Sequence, residues 1–167
     1  MEPRTQCRRL NALGAVIAFA LIGYALFAQH VQGYEPCLLC VFQRIAMIAL
    51  GIFFAAAAIH APAKVGAHIY KILGMAIAAI GAGIAARHLY LQYTPSTGYG
   101  SCGPSGMGGV LYLINILGPR SALHKIFYPT GSCATVDWTF LGLSMPGWVL
   151  LWFVALGDLT FFANRRR

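Results

Sequence analysis

Four apolar stretches, each about as long as a membrane-crossing helix, constrain this chain more than any other feature. About 30 Å of hydrocarbon takes roughly 20 helical residues. The runs at about Leu10–Ala28, Leu39–His60, Ile69–Tyr90 and Pro146–Ala163 are of that order. Lipid offers no partner to a free backbone N–H or C=O, so each run is expected as a helix. Composition agrees: 59% of the 167 residues are hydrophobic and 10% are charged, too few charges to cover a soluble domain of this size. A cytosolic globular enzyme, a disordered chain and a DNA-binding domain are excluded. The expected fold class is an all-α membrane protein, a four-transmembrane-helix bundle forming one domain over residues 1–167.

The net charge of +8 would suggest nucleic acid if the basic residues shared one water-facing surface. Instead Arg4, Arg8 and Arg9 open the chain, Lys64 and Lys71 flank its middle, and Arg165 to Arg167 close it. No aromatic-interleaved basic stripe accompanies them, so no nucleic-acid partner is expected. Cytoplasmic segments retain Lys and Arg, which puts both termini in the cytoplasm. The connections at about 29–36 and 91–145 then face outward, and away from the helix ends they carry only Arg120 and Lys125. Arg44 and Arg87 lie near helix ends, where long side chains snorkel, and Asp158 is expected to pair with the terminal arginines. The first apolar run is too long for a signal peptide and lacks a cleavage site.

Two patterns describe the remaining organisation. Gly74, Ala78, Ala82 and Ala86 form a small-residue stripe at four-residue spacing, read as close helix packing. In the long outer connection, Tyr93–Gly109 is rich in Gly and Pro and reads as mobile coil. Beyond it, Ala122, Leu123, Ile126 and Phe127 share a helical face and Val110–Leu117 is uniformly apolar, which fits a short interfacial helix.

Five cysteines carry the chemistry: Cys7, Cys37, Cys40, Cys102 and Cys133. The last four fall on the outer side, where an oxidising compartment lets disulfides persist, whereas Cys7 reads as a free cytoplasmic thiol without a role. Cys37 and Cys40 form C-L-L-C at a helix start, where backbone N–H groups favour a thiolate. Pro36 reads as a first-turn proline, with both cysteines in the first turns. Arg44, one turn after Cys40, shares their face and is suited to stabilise a thiolate or hold a quinone carbonyl. Cys102 and Cys133 share the long loop and are read as a pair.

Three readings of these four cysteines remain open. Structural disulfides are one, although a C-x-x-C loop is too tight to add much chain entropy. Zinc on four thiolates is another, although zinc favours two close pairs. Two exchanging redox pairs, one mobile and one membrane-embedded, form the third. In that reading electrons run from an outside dithiol through the loop to the helix pair and on to a membrane quinone.

The ordered set of Gln29-His30-Val31, Pro36-Cys37-Leu38-Leu39-Cys40 with Arg44, a loop cysteine pair, Phe140-Leu141-Gly142-Leu143, Met145-Pro146 and Trp148 resembles the bacterial disulfide bond formation protein B family over nearly the whole chain. The resemblance implies a multi-pass protein of the bacterial inner membrane, with a long periplasmic loop carrying the short interfacial helix. The activity it implies is quinone-dependent thiol oxidation, reoxidising a periplasmic DsbA-like thiol oxidase with ubiquinone or menaquinone as acceptor. It makes Cys102 the sulfur attacked by the partner and Cys133 its resolving partner. Cys133 then exchanges with Cys37, leaving Cys40 as the thiolate beside the quinone. Arg44 would lie at the quinone headgroup, and Met145 would line its pocket. Two departures stand out. Gln43 replaces the acidic residue of the best-known members, and no histidine follows Tyr93 in the entry to the long loop. His88, about two turns earlier, is weighed as a substitute and read instead as a neutral interfacial histidine. The other histidines give no ligand spacing, so no metal is assigned. The alternatives are a non-enzymatic scaffold with structural disulfides, or a vitamin K epoxide reductase-like enzyme, whose loop cysteines would precede its C-x-x-C.

Overall fold

A computed structural model describes residues 3–34, 36–62, 65–93, 136 and 138–164. They form α1 (Pro3–His30), α2 (Leu38–His60) and α3 (Val65–Tyr93), then a hairpin of β1 (Thr139–Phe140) and β2 (Leu143–Ser144), and finally α4 (Met145–Ala163). All four helices are long and apolar enough to cross a membrane. Helices adjacent in the chain pack on one another, and α1 packs on α4 to close the bundle. The hairpin caps the α4 end. The loop cysteines Cys102 and Cys133, the expected interfacial helix, Lys64 and Arg165 to Arg167 lie outside the described residues.

Helix ends follow local chemistry. Cys37 is the N-cap of α2, extended at φ −80° and ψ 170°, and its sulfur accepts from the Cys40 N–H. Pro36 therefore precedes the cap and does not occupy the first turn, where the sequence had suggested it. At the other end Ala61 adopts the left-handed conformation (φ 43°) and donates its N–H to Ala57 O; Pro62 then blocks continuation. Leu141 and Gly142 both have positive φ, 53° and 79°, as a two-residue turn of the right twist demands. Trp148 Nε1 donates to Phe140 O at 3.0 Å and ties that turn to α4.

The core is large-into-small. Phe54 and Leu50 of α2 and Phe153 and Leu156 of α4 are fully buried. Their rings enter gaps at glycines: a Cβ on Gly14 would press on Phe54, and one on Gly81 would overlap Phe153. The buried face of α3 is Gly74, Ala78, Gly81, Ala85 and His88, whereas Ala82 is half-buried and Ala86 exposed. The strict four-residue stripe read from the sequence is thus partly wrong. With about 3.6 residues per turn, four-residue steps drift off a straight interface, and alternating steps of four and three stay on it. Apolar side chains such as Val16, Ile52, Ile69 and Ile80 point outward, as a lipid-facing surface requires.

At the end where α1 begins and α4 finishes, a second polar cluster is buried. Asn11 Nδ2 donates to Cys7 O at 2.9 Å and to Cys7 Sγ at 3.3 Å. Cys7 reaches Asn164 Oδ1 at 3.8 Å, and Asn164 Nδ2 donates to Thr160 O at 3.1 Å. Asp158 is exposed.

Candidate functional site

The N-cap conformation of Cys37 decides how the C-L-L-C turn is used. An N-cap residue leaves the helical path, so Cys37 is not a helical position in register with Cys40, although the two sulfurs meet. Cys37, 3% exposed, turns toward α3, while Cys40 faces a cavity between α1, α2 and α4. Their sulfurs are 3.1 Å apart and both thiols are free.

His88 meets them from α3. Its Nε2 is 3.6 Å from Cys37 Sγ and its Nδ1 is 4.0 Å from Cys40 Sγ. Gln43 Nε2 donates to Nδ1 at 3.1 Å, which leaves the proton of a neutral ring on Nε2, directed at Cys37. The interfacial reading of His88 is corrected: the side chain is 2% exposed and belongs to the dithiol site. The signal that would have found it is the packing rhythm of α3, since His88 extends the series Gly74, Ala78, Gly81, Ala85 by one further step. Gln43, read as a mere departure, is 4% exposed and orients the ring.

Cys37 lies just outside the span that begins at Leu39. Its thiol is held well below the usual range, first by the hydrogen bond with Cys40; burial opposes this, and His88 adds to the lowering. The helix N-terminus favours the same charge.

The cavity of about 340 Å³ has Cys40, Gln43 and Arg44 at its polar edge. Trp138, Phe140, Met145 and Trp148 line it, and Leu21, Met47 and Trp152 extend it along the bundle. Phe140 packs between Trp138 and Trp148, with ring centroids 6.0 Å from each. Arg44 is anchored across the bundle: Nη1 donates to Gln29 Oε1, and Nη2 to Ala25 O at 3.2 Å. Gln29 thereby gains a physical role that its place in a tripeptide motif did not specify.

A dithiol with one sulfur facing an aromatic cavity has the parts that thiol–disulfide exchange needs, and comparison with known proteins gives the family. The family profile for disulfide bond formation protein DsbB matches residues 7–163. The chain belongs to the DsbB family. It is 41% identical over 166 residues to disulfide bond formation protein B of Xanthomonas axonopodis pv. citri, covering 98% of this chain and 94% of that one. It is 45% identical over 150 residues to the protein of that name from Methylobacillus flagellatus, covering 90% and 88%. A third, from Methylococcus capsulatus, is 45% identical over 145 residues, covering 87% and 86%. As a DsbB-family member the protein is a multi-pass membrane protein of disulfide bond formation, and its dithiol lies where the second helix begins.

Proposed function

We propose that the protein is a quinone-dependent thiol oxidoreductase that reoxidises a periplasmic DsbA-type dithiol oxidase and delivers the electrons to ubiquinone or menaquinone. The observation that carries this reading is Cys40: one sulfur of a buried dithiol stands in the wall of an aromatic cavity edged by Arg44. In this reading the C-L-L-C end faces the periplasm of a bacterial inner membrane and both termini are cytoplasmic. Arg4, Arg8, Arg9 and Lys71 at the opposite end support that orientation.

The cavity's chemistry suits a substituted quinone ring. Trp138, Phe140 and Trp148 supply flat apolar walls, and Leu21 and Met47 supply room for an apolar tail. Two of the guanidinium's five N–H donors are engaged by Gln29 and Ala25, which leaves others for a carbonyl oxygen. Bound there, a quinone supplies an acceptor for two electrons and two protons.

The sulfur chemistry balances in two exchanges. A thiolate of the soluble partner attacks Cys102 of a Cys102–Cys133 disulfide, and Cys133 leaves as thiolate. The partner's second thiol closes its own disulfide and releases Cys102. Cys133 then attacks Cys37 of a Cys37–Cys40 disulfide, Cys40 leaves as thiolate, and Cys102 displaces Cys37 to restore the loop disulfide. The dithiol of α2 now holds the electron pair. His88 Nε2–H, directed at Cys37, steadies the thiolate, and Gln43 keeps the ring in that orientation.

The test is anaerobic stopped-flow mixing of purified protein with a reduced DsbA homologue and each quinone. One quinol per partner dithiol is expected. Cys102→Ser should block the partner reaction while quinone still oxidises a chemically reduced Cys37 and Cys40. Partner dithiol and quinone both left unchanged by the wild type would overturn the proposal in favour of a structural scaffold.

A further inference from the structure

Three soft donors converge where the dithiol meets α3. One ligand atom each from Cys37, Cys40 and His88 can be chosen so that all lie within 4.8 Å of one another. A tetrahedral zinc ion, with Zn–S near 2.3 Å and Zn–N near 2.0 Å, spaces two sulfurs by about 3.8 Å and a sulfur and nitrogen by about 3.5 Å. The Cys37 Sγ to His88 Nε2 separation, 3.6 Å, already matches. The sulfurs, at 3.1 Å, need to part by less than about 1 Å to meet that geometry, a shift within reach of a side-chain rotation at Cys40.

The surroundings supply what such a site needs besides ligands. Metal takes thiolates, and Cys40 N–H donates to Cys37 Sγ at 3.4 Å at a helix N-terminus. A ligating imidazole needs a partner on its other nitrogen. The Gln43 carboxamide sits 3.1 Å from Nδ1, and by turning over it can present oxygen to Nδ1–H once Nε2 gives its lone pair to an ion. Cys40 lines the cavity, which provides a route in and an open fourth position.

We infer that the reduced Cys37–Cys40 dithiol and His88 together form a binding site for a soft divalent cation of the zinc class, absent when the two sulfurs are joined. Binding moves no electrons: Cys37 is already a thiolate, the Cys40 S–H proton leaves, the His88 ring proton passes from Nε2 to Nδ1, and two S–metal bonds and one N–metal bond form. The redox gating rests on the functional reading above, in which Cys37 and Cys40 alternate between dithiol and disulfide; the ligand geometry does not. A bound ion holds the dithiol reduced, so zinc stalls the enzyme when its electron acceptor is scarce.

The experiment uses full-length Cys102→Ser/Cys133→Ser protein in detergent, reduced, freed of reductant anaerobically and titrated with cobalt(II) alone. A single equivalent should bind with a thiolate-to-cobalt charge-transfer band and the visible bands of a four-coordinate ion, all displaced by zinc. His88→Ala and the gentler His88→Gln should each weaken binding at least about tenfold, the loss seen when even an outer partner is removed. Cys37→Ser should abolish the band, and protein oxidised beforehand should show none. Equal affinity in both His88 variants, a band in the oxidised protein, or a band surviving Cys37→Ser overturns the inference. Quinol formed when quinone is added to the metal-free reduced sample reports separately whether the Cys37–Cys40 dithiol gives up its electrons. A cobalt band without quinol formation sinks the redox gating and keeps the site, and quinol without a band does the reverse.

Discussion

Cys7 and Cys37 are equally buried, each 3% exposed, at opposite ends of the same bundle, and they are surrounded for opposite purposes. Around Cys7 stand two amides and the main chain: Asn11, Asn164 and carbonyls of α1 and α4. Around Cys37 stand a second sulfur, an oriented imidazole and the start of a helix. Asn11 holds Cys7 within α1, and the Cys7 thiol reaches across to Asn164 of the α4 end, which leaves it without an exchange partner among the described residues. At the other end, each polar partner of Cys37 either stabilises a thiolate or supplies a sulfur to exchange with. Burial alone therefore does not mark a reactive cysteine; the chemistry of its partners does.

The largest expected effect breaks the comparison outright. Cys37→Ser should lower turnover of a reduced DsbA-type partner at least about a thousandfold, as removal of a nucleophile does, and Cys7→Ser should leave it unchanged. Both are read in one quinol-formation assay. A Cys7→Ser loss on that scale would mean that the two ends do one job. Next in size is Arg44→Ala. Removing a charged donor costs about 1.5–3 kcal/mol, so the apparent KM for quinone should rise about tenfold or more with the fold retained. Arg44→Lys should not rescue it, because a point charge cannot serve both α1 and a ligand oxygen. An unchanged KM would remove Arg44 from the cavity's function.

A smaller effect sharpens the electrostatic side. The Cys37 thiol in the folded protein titrates far below its ordinary value of 9.0, toward about 4. A depressed acid contributes stability that is fully present above its unfolded pKa and lost as pH falls through the folded one. The reduced protein should accordingly lose that contribution between pH 9.0 and about 4. Ultraviolet thiolate absorbance of reduced Cys102→Ser/Cys133→Ser protein should persist at neutral pH and fade on acidification. Cys40→Ala, which removes the first cause of the depression, should move the transition upward. A single transition near the ordinary thiol value in both proteins would show that the dithiol contact does not set the charge.

What the sequence made legible divides along the same line. The four helices were readable because a long apolar run has few other solutions in lipid, and C-L-L-C with Arg44 was readable because spacing along one helix fixes it. His88 was not, since it lies 48 residues from Cys40 and only the packing of α3 on α2 brings it there. The Cys37 orientation was missed for a local reason: the cap falls on the cysteine itself, two positions later than a proline at the first helical position would put it. Likewise the Trp138–Phe140–Trp148 stack needs the hairpin to fold back on α4 before its rings meet. Contacts within one element follow its period, whereas contacts between elements depend on how helices turn about their own axes.

The smallest expected effect tests whether the quiet end is only structural. Asn11 is fully buried and its Oδ1 has no hydrogen-bond partner among the described residues, which costs about 1–3 kcal/mol. Its Nδ2 bonds to Cys7 return about 1 kcal/mol each. Asn11→Leu keeps the forked shape at a larger volume, loses those bonds and removes the orphaned oxygen, so the polar terms nearly cancel and the added bulk decides the sign. The thermal midpoint in detergent should move by only a few degrees, on the order expected for about 1 kcal/mol in a chain this size, with quinol formation unchanged. The same polar-to-apolar exchange at the dithiol end, His88→Leu, strips the imidazole from Cys37 and should slow turnover while the protein stays folded. If Asn11→Leu slowed turnover as much as His88→Leu does, the α1–α4 contact would have to be passing strain along the bundle to the cavity. The amide cluster would then belong to the working machinery and not to the clamp that holds it.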